Sequence, residues 1–187
     1  VAYVANGGSP NISMIDTATN SVFGTISAGI NPISPRGIAV NSAGTVGYVA
    51  DTNGGVVKVI NIATNSVTAT ITVGSAPYNV VLNPAGTFAY VANQGSNSVS
   101  VINTSNNTLV GSIPVSAGPR TVVLNAAGTR AYASGTSGNG VTVIDATNNT
   151  VITTITGFST PNGMAIAGNF LYVAQNIGTV RVVDLTN

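Results

Sequence analysis

Pro35, Pro77, Pro119 and Pro161 follow one another at intervals of 42 residues, and the same step separates Gly44, Gly86 and Gly128, and Tyr48, Tyr90 and Tyr132. A period of this size restricts a chain to stacked architectures, because one unit cannot cover its own apolar surface and must lean on the next. The outer units depart from the step. Tyr3 precedes Tyr48 by 45, with three extra residues between Asp16 and Pro35, and Tyr132 precedes Tyr172 by 40, with two fewer between Ala167 and Phe170. Both changes are expected in loops.

Each unit holds four short apolar runs, as in "YNVVLN", "FAYVAN", "SVSVIN" and "TLVGSIPV" between Tyr78 and Val115. They are rich in β-branched residues and bounded by turn formers, the signature of strands. "NPAG" (Asn83 to Gly86) and "NAAG" (Asn125 to Gly128) supply the first turn, "QGSN" the second and "NTSNNT" the third. No stretch keeps apolar residues at i, i+3, i+4 and i+7, so almost no helix is expected.

Four strands in 42 residues make one blade of a β-propeller, whereas a parallel β-helix repeats on a shorter coil. The expected fold is therefore all-β, with four-stranded antiparallel blades, about 4.5 of them. They form a single propeller or propeller fragment over residues 1–187, with repeats near 1–34, 35–76, 77–118, 119–160 and 161–187. With strands lettered A to D from the central channel outward, the chain begins at a strand B and ends at a strand C, "VRVVDL". Neither end supplies what the other lacks, so two expectations stand side by side. The sequence is part of a longer protein, or copies assemble through their open terminal blades as a homo-oligomer. It opens on Val1 with no basic and apolar leader, which suggests a mature product or a fragment.

"YVAN" at Tyr3 to Asn6 and Tyr90 to Asn93, followed by "ISMIDTATNSV" (Ile12 to Val22) or "VKVINIATNSV" (Val57 to Val67), resembles the YVTN-type β-propeller repeat over nearly the whole chain. "YASG" (Tyr132 to Gly135) and the shortened last unit depart from it. The resemblance implies a seven-bladed type of propeller found in secreted and surface-layer proteins, related to propeller domains of certain quinoproteins and lactonases. An extracellular or cell-surface location is the expectation that goes with it.

Charged residues are 5% of the chain, against about 25% in an ordinary soluble domain, so Asn, Thr, Ser and backbone must wet the surface. A net charge of +1 offers no basic patch for nucleic acid. The longest apolar stretch, Gly163 to Ala174, is broken by Asn169 and is well short of the roughly 20 residues of a membrane-spanning helix. There is no Cys, His or Glu, which removes the thiolate nucleophile, the usual general bases and most metal ligands. No catalytic residue, metal site or cofactor is expected.

Asp16, Asp145 and Asp184 end strand C where Asn61 and Asn103 stand in other units, the pattern of a side chain that caps the following turn. Asp51 differs, since it replaces the Asn of "YVAN" ahead of "DTNGG"; it is either a ligand contact or a turn residue accepting local amides. The residue after each repeat proline varies most: Arg36, Tyr78, Arg120 and Asn162. All four begin strand A and should ring one mouth of the channel, beside the B–C loops. There Arg by its planar fork and Tyr by stacking suit an anionic or sugar-like ligand, or else the arginines merely keep the mouth solvated. Ser13, Lys58, Ser100, Thr142 and Arg181 alternate with apolar residues in strand C and read as a solvated face.

These residues point to a non-enzymatic extracellular scaffold that binds protein or glycan at the channel-mouth face. Part of a lactonase-like or quinoprotein-like enzyme, or a self-assembling structural subunit, is the alternative.

Overall fold

The computed structural model describes residues 1–27 and 34–186. They form 18 strands and no helix. The first sheet joins β1 (Ala2–Ala5), β2 (Asn11–Asp16) and β3 (Ser21–Ser27). The second joins β4 (Pro35–Val40), β5 (Val46–Asp51), β6 (Val56–Asn61) and β7 (Ser66–Thr72), and the third β8 (Pro77–Leu82), β9 (Phe88–Asn93), β10 (Ser98–Asn103) and β11 (Thr108–Pro114). The fourth holds β12 (Pro119–Leu124), β13 (Arg130–Gly135), β14 (Gly140–Asp145) and β15 (Thr150–Ile155). The fifth has β16 (Pro161–Ala167), β17 (Phe170–Gln175) and β18 (Thr179–Asp184). Every sheet is an antiparallel meander, so the expected propeller blades are present, the first without strand A and the last without strand D.

Turn chemistry explains the meander. Gly44, Gly86 and Gly128 stand at φ of 69°, 70° and 68°, where a Cβ is costly, and each donates its amide to the Asn three residues before it. In the C–D turns the left-handed position is held by Asn20, Asn65, Asn107 and Asn149, the residue type that tolerates it best after glycine. Asp16, Asp145 and Asp184 accept the amide two residues on, at 2.8, 2.9 and 2.9 Å, as Asn103 also does, so these side chains cap the turn as expected. The two-residue deletion leaves Gly168 and Asn169 as the whole turn between β16 and β17. The three-residue insertion of the first unit follows Ser27, in a stretch whose residues 28–33 lie outside the described residues.

The strand A of each complete blade packs beside its neighbours, β4 on β8, β8 on β12 and β12 on β16. Gly37 makes the first of these approaches possible, since a Cβ there would lie 2.7 Å from Asn79 Cα and 2.9 Å from Val80 N. Farther out, the core lies between blades. Tyr48, Val57 and Val59 of the second meet Val80, Ala89 and Val91 of the third, and Tyr90, Val99 and Val101 of the third meet Val122, Ala131 and Ala133 of the fourth.

Both faces of an inner blade are therefore covered, which corrects the reading of strand C. Lys58, Ser100 and Thr142 are buried rather than solvated, because period-two alternation marks a water-facing side only when one face of a sheet is left open. The repeat tyrosines show the same rule in reverse. Tyr48, Tyr90 and Tyr132 are 2%, 1% and 5% exposed, but Tyr172, expected to be at least partly buried, is 39% exposed because no described blade follows it.

Candidate functional site at the channel mouth

In each complete strand A the ladder to strand B slips just after the proline. The register shifts between Pro35 and Ile38, Pro77 and Asn79, Pro119 and Val122, and Pro161 and Met164. Arg36, Tyr78, Arg120 and Asn162 each sit inside that irregularity. A bulge withdraws a residue from the ladder and re-aims its side chain, and here it does so at the same place in four adjacent inner strands.

Three of the four meet. The Arg36 guanidinium carbon lies 5.4 Å from the centre of the Tyr78 ring and that of Arg120 lies 5.2 Å from it, one from the strand on each side of β8. Each contact is worth about 0.5 to 1 kcal/mol at an exposed position. The Tyr78 ring is thus bracketed by two cations. Gln94, its amide oxygen turned to Arg120, accepts from Nε at 2.9 Å and Nη2 at 3.2 Å. A Cβ on Gly7 would stand 3.3 Å from Arg36 Nη1, so the loop between β1 and β2 comes close without blocking it. Asn162 stands beside this group on β16, half-buried, with its amide directed to Asn176 Oδ1 at 3.4 Å.

Asp51 stands across the ladder from Pro35, the residue before Arg36, but turns its carboxylate into the loop. Its side chain is 3% exposed and accepts from the amides of Ser34 at 3.3 Å and Gly54 at 3.2 Å, locking the B–C loop of its blade. It has the turn role, beneath the mouth. Among the described residues one ion pair is found, Arg130 with Asp145 at 3.4 Å on the opposite loop face, so neither Arg36 nor Arg120 has a carboxylate at ion-pairing distance. No three acidic, His or Cys side chains come together among the described residues.

Two further contacts had no clear sequence signal. Arg181 donates to the Gly157 carbonyl and lies 4.9 Å over the Phe158 ring, across the boundary between the fourth and fifth blades. Lys58 is 3% exposed and donates to Thr70 Oγ1 at 3.1 Å. Equivalence to Ser13 and Ser100 suggested the opposite surroundings for Lys58.

Blades of this kind, with inner strands that carry their variable side chains at one mouth, define a β-propeller. The family described as "Lactonase, 7-bladed beta-propeller" matches residues 64–173, and the chain belongs to it. Among solved structures it is similar to hydrazine synthase of Kuenenia stuttgartiensis, at 25% identity and a TM-score of 0.84, with 91% of this chain and 51% of that one covered. The chain thus spans about half the length of that relative. No curated protein matches it.

Proposed function

We propose that the chain is a non-enzymatic binding propeller of the cell exterior whose channel mouth takes acidic glycan. The observation that supports this is the Arg36–Tyr78–Arg120 group: two guanidiniums steadied by one aromatic ring, with no carboxylate against them among the described residues. A planar guanidinium offers paired donors to a carboxylate, and two of them side by side suit a polymer with repeated carboxylates. The Gln94 and Asn162 amides alongside suit sugar hydroxyls. The likeness of the repeat to YVTN-type propellers supports the exterior location. Passage over immobilised polygalacturonate, with neutral dextran as control, tests the reading. The native chain should be retarded by the acidic polymer alone and released by salt, and the Arg36→Ala/Arg120→Ala variant should pass freely while keeping its melting temperature. Equal retention of both proteins would remove the site.

The family match favours a second reading, part of a lactone-hydrolysing enzyme. Ring opening of a panel of sugar lactones, followed by proton release, distinguishes the two.

A further inference from the structure

The four equivalent strand C positions Lys58, Ser100, Thr142 and Arg181 stand opposite Val49, Val91, Ala133 and Val173 in their blades. The side chains of Thr142 and Arg181 lie against the loop that leads into their blade. Thr142 accepts from the Ser116 amide at 3.0 Å and donates to its hydroxyl at 3.1 Å. Arg181 reaches the Gly157 carbonyl and covers Phe158. Lys58 ends on Thr70, its cross-strand neighbour. Ser100 is too short to fill the same place, and there a cleft of about 440 Å³ opens between the second and third blades.

We propose that this cleft binds a primary ammonium or guanidinium group, the chemistry that Lys58 and Arg181 supply to the matching place in their own blades. One wall repeats that of Lys58: Ser112, opposite Ser100 in the ladder, takes the position of Thr70 and offers the same hydroxyl acceptor. Val73 and Gly74 of the connecting loop form another, Val73 donating its amide to the Gly55 carbonyl as Phe158 does to that of Asn139. Behind the wall the Asn93 amide donates to Ser98 at 3.2 Å and Ser100 at 2.9 Å, and its Oδ1 is buried without a partner among the described residues. A Cβ on Gly74 would lie 2.7 Å from that amide, so glycine is what lets the loop close down on it. In the matching places Lys58 donates to a hydroxyl, and Arg181 donates to a carbonyl with its guanidinium over a ring face. Leu109 on the outer wall is 45% exposed and gives the methylene stem an apolar surface to follow inward.

The test is a titration of the ¹⁵N-labelled chain with n-butylammonium, with n-butanol as the uncharged control. The expected result is saturable movement of the Gly74, Ser98, Ser100 and Ser112 amide signals with the amine and none with the alcohol. The Ser100→Lys variant fills the cleft from within, so the amine should no longer move those signals. Ser112→Ala, at an exposed position that does not threaten the fold, should weaken binding at least about tenfold, as loss of one hydrogen bond to a charged group does. Absence of movement in the native chain, identical movement with n-butanol, or undiminished binding in both variants would overturn the proposal. A Gly-Gly-Lys-Gly-Gly peptide then separates the sources: binding tighter than the amine's assigns the site to a partner's lysine, and equal binding to a free small amine.

Discussion

The Tyr90 hydroxyl stands 3.2 Å from Asn149 Oδ1 and 3.1 Å from the Ala146 carbonyl, so one blade hangs on the C–D turn of the next. Tyr48 repeats the contact one period earlier, with Asn107 Oδ1 at 3.1 Å. Burial raises the pKa of both hydroxyls, which stay protonated donors at any physiological pH. Tyr90→Phe should cost about 1 kcal/mol, the net worth of a hydrogen bond, and Tyr90→Ala about 3 to 5 kcal/mol with the cavity added. Urea unfolding measures both. A cost below about 1 kcal/mol for the alanine variant would mean the ring packs against nothing.

Asn149 carries two duties in one residue, a φ of 61° and the acceptor for Tyr90. Asn149→Gly keeps the first and loses the second; Asn149→Ala loses both. The alanine variant should be the less stable by about 1 kcal/mol, the cost of forcing a Cβ into the left-handed region. Equal melting temperatures would show that the backbone conformation is not under constraint.

Gly37 and Gly111 make a matched pair. A Cβ on Gly37 would collide with the backbone of β8, and one on Gly111 would meet nothing within 4 Å. Gly37→Ala should cost about 1 to 3 kcal/mol as an overpacked site. Gly111→Ala should be neutral or gain up to about 1 kcal/mol through the unfolded chain. Thermal unfolding of the two variants side by side checks the ordering.

Stability should be level from about pH 5 to 8, because the chain has no histidine to titrate there. Below that it should decline. Amide and hydroxyl donors from Thr147 and Thr186 hold Asp145 and Asp184 below the usual carboxylate range, and the Ala18 amide does so for Asp16. A lowered folded pKa means the contribution is complete above the unfolded value of 3.8 and is lost as pH falls through the folded one. Melting temperature against pH should therefore bend under about pH 4, and Asp145→Asn should shallow the bend. A slope between about pH 5 and 8 would contradict this account.

Lys58→Met should leave stability unchanged or raise it, since the buried ammonium has only the Thr70 hydroxyl among the described residues and methionine fills a similar volume. A melting temperature lowered by more than a few degrees would show that the charge is held by more than that bond.

The blade count, the strand order, the turns and the A-strand position of the variable residue were all legible, because each leaves a mark at a fixed offset from a repeat proline. Burial was not. Lys58 and Ser100 look like surface residues in their own strand, and only the neighbouring blade, 42 residues distant in text, decides otherwise. The bracket around Tyr78 was half legible: the repeat placed Arg36 and Arg120 on either side of it, but their stacking on the ring depends on how closely three inner strands approach. Asp51 was ambiguous because a capping carboxylate and a ligand-facing one are spelled alike; depth separates them.

The register slip after each repeat proline has a consequence for engineering. At a position inside a regular ladder a new side chain must suit its cross-strand partner, whereas Arg36, Tyr78, Arg120 and Asn162 fall between paired residues and answer to no such partner. A combinatorial library over those four codons should therefore keep a high fraction of folded members while rewriting the chemistry of the mouth, which makes the chain a scaffold for selecting binders by display.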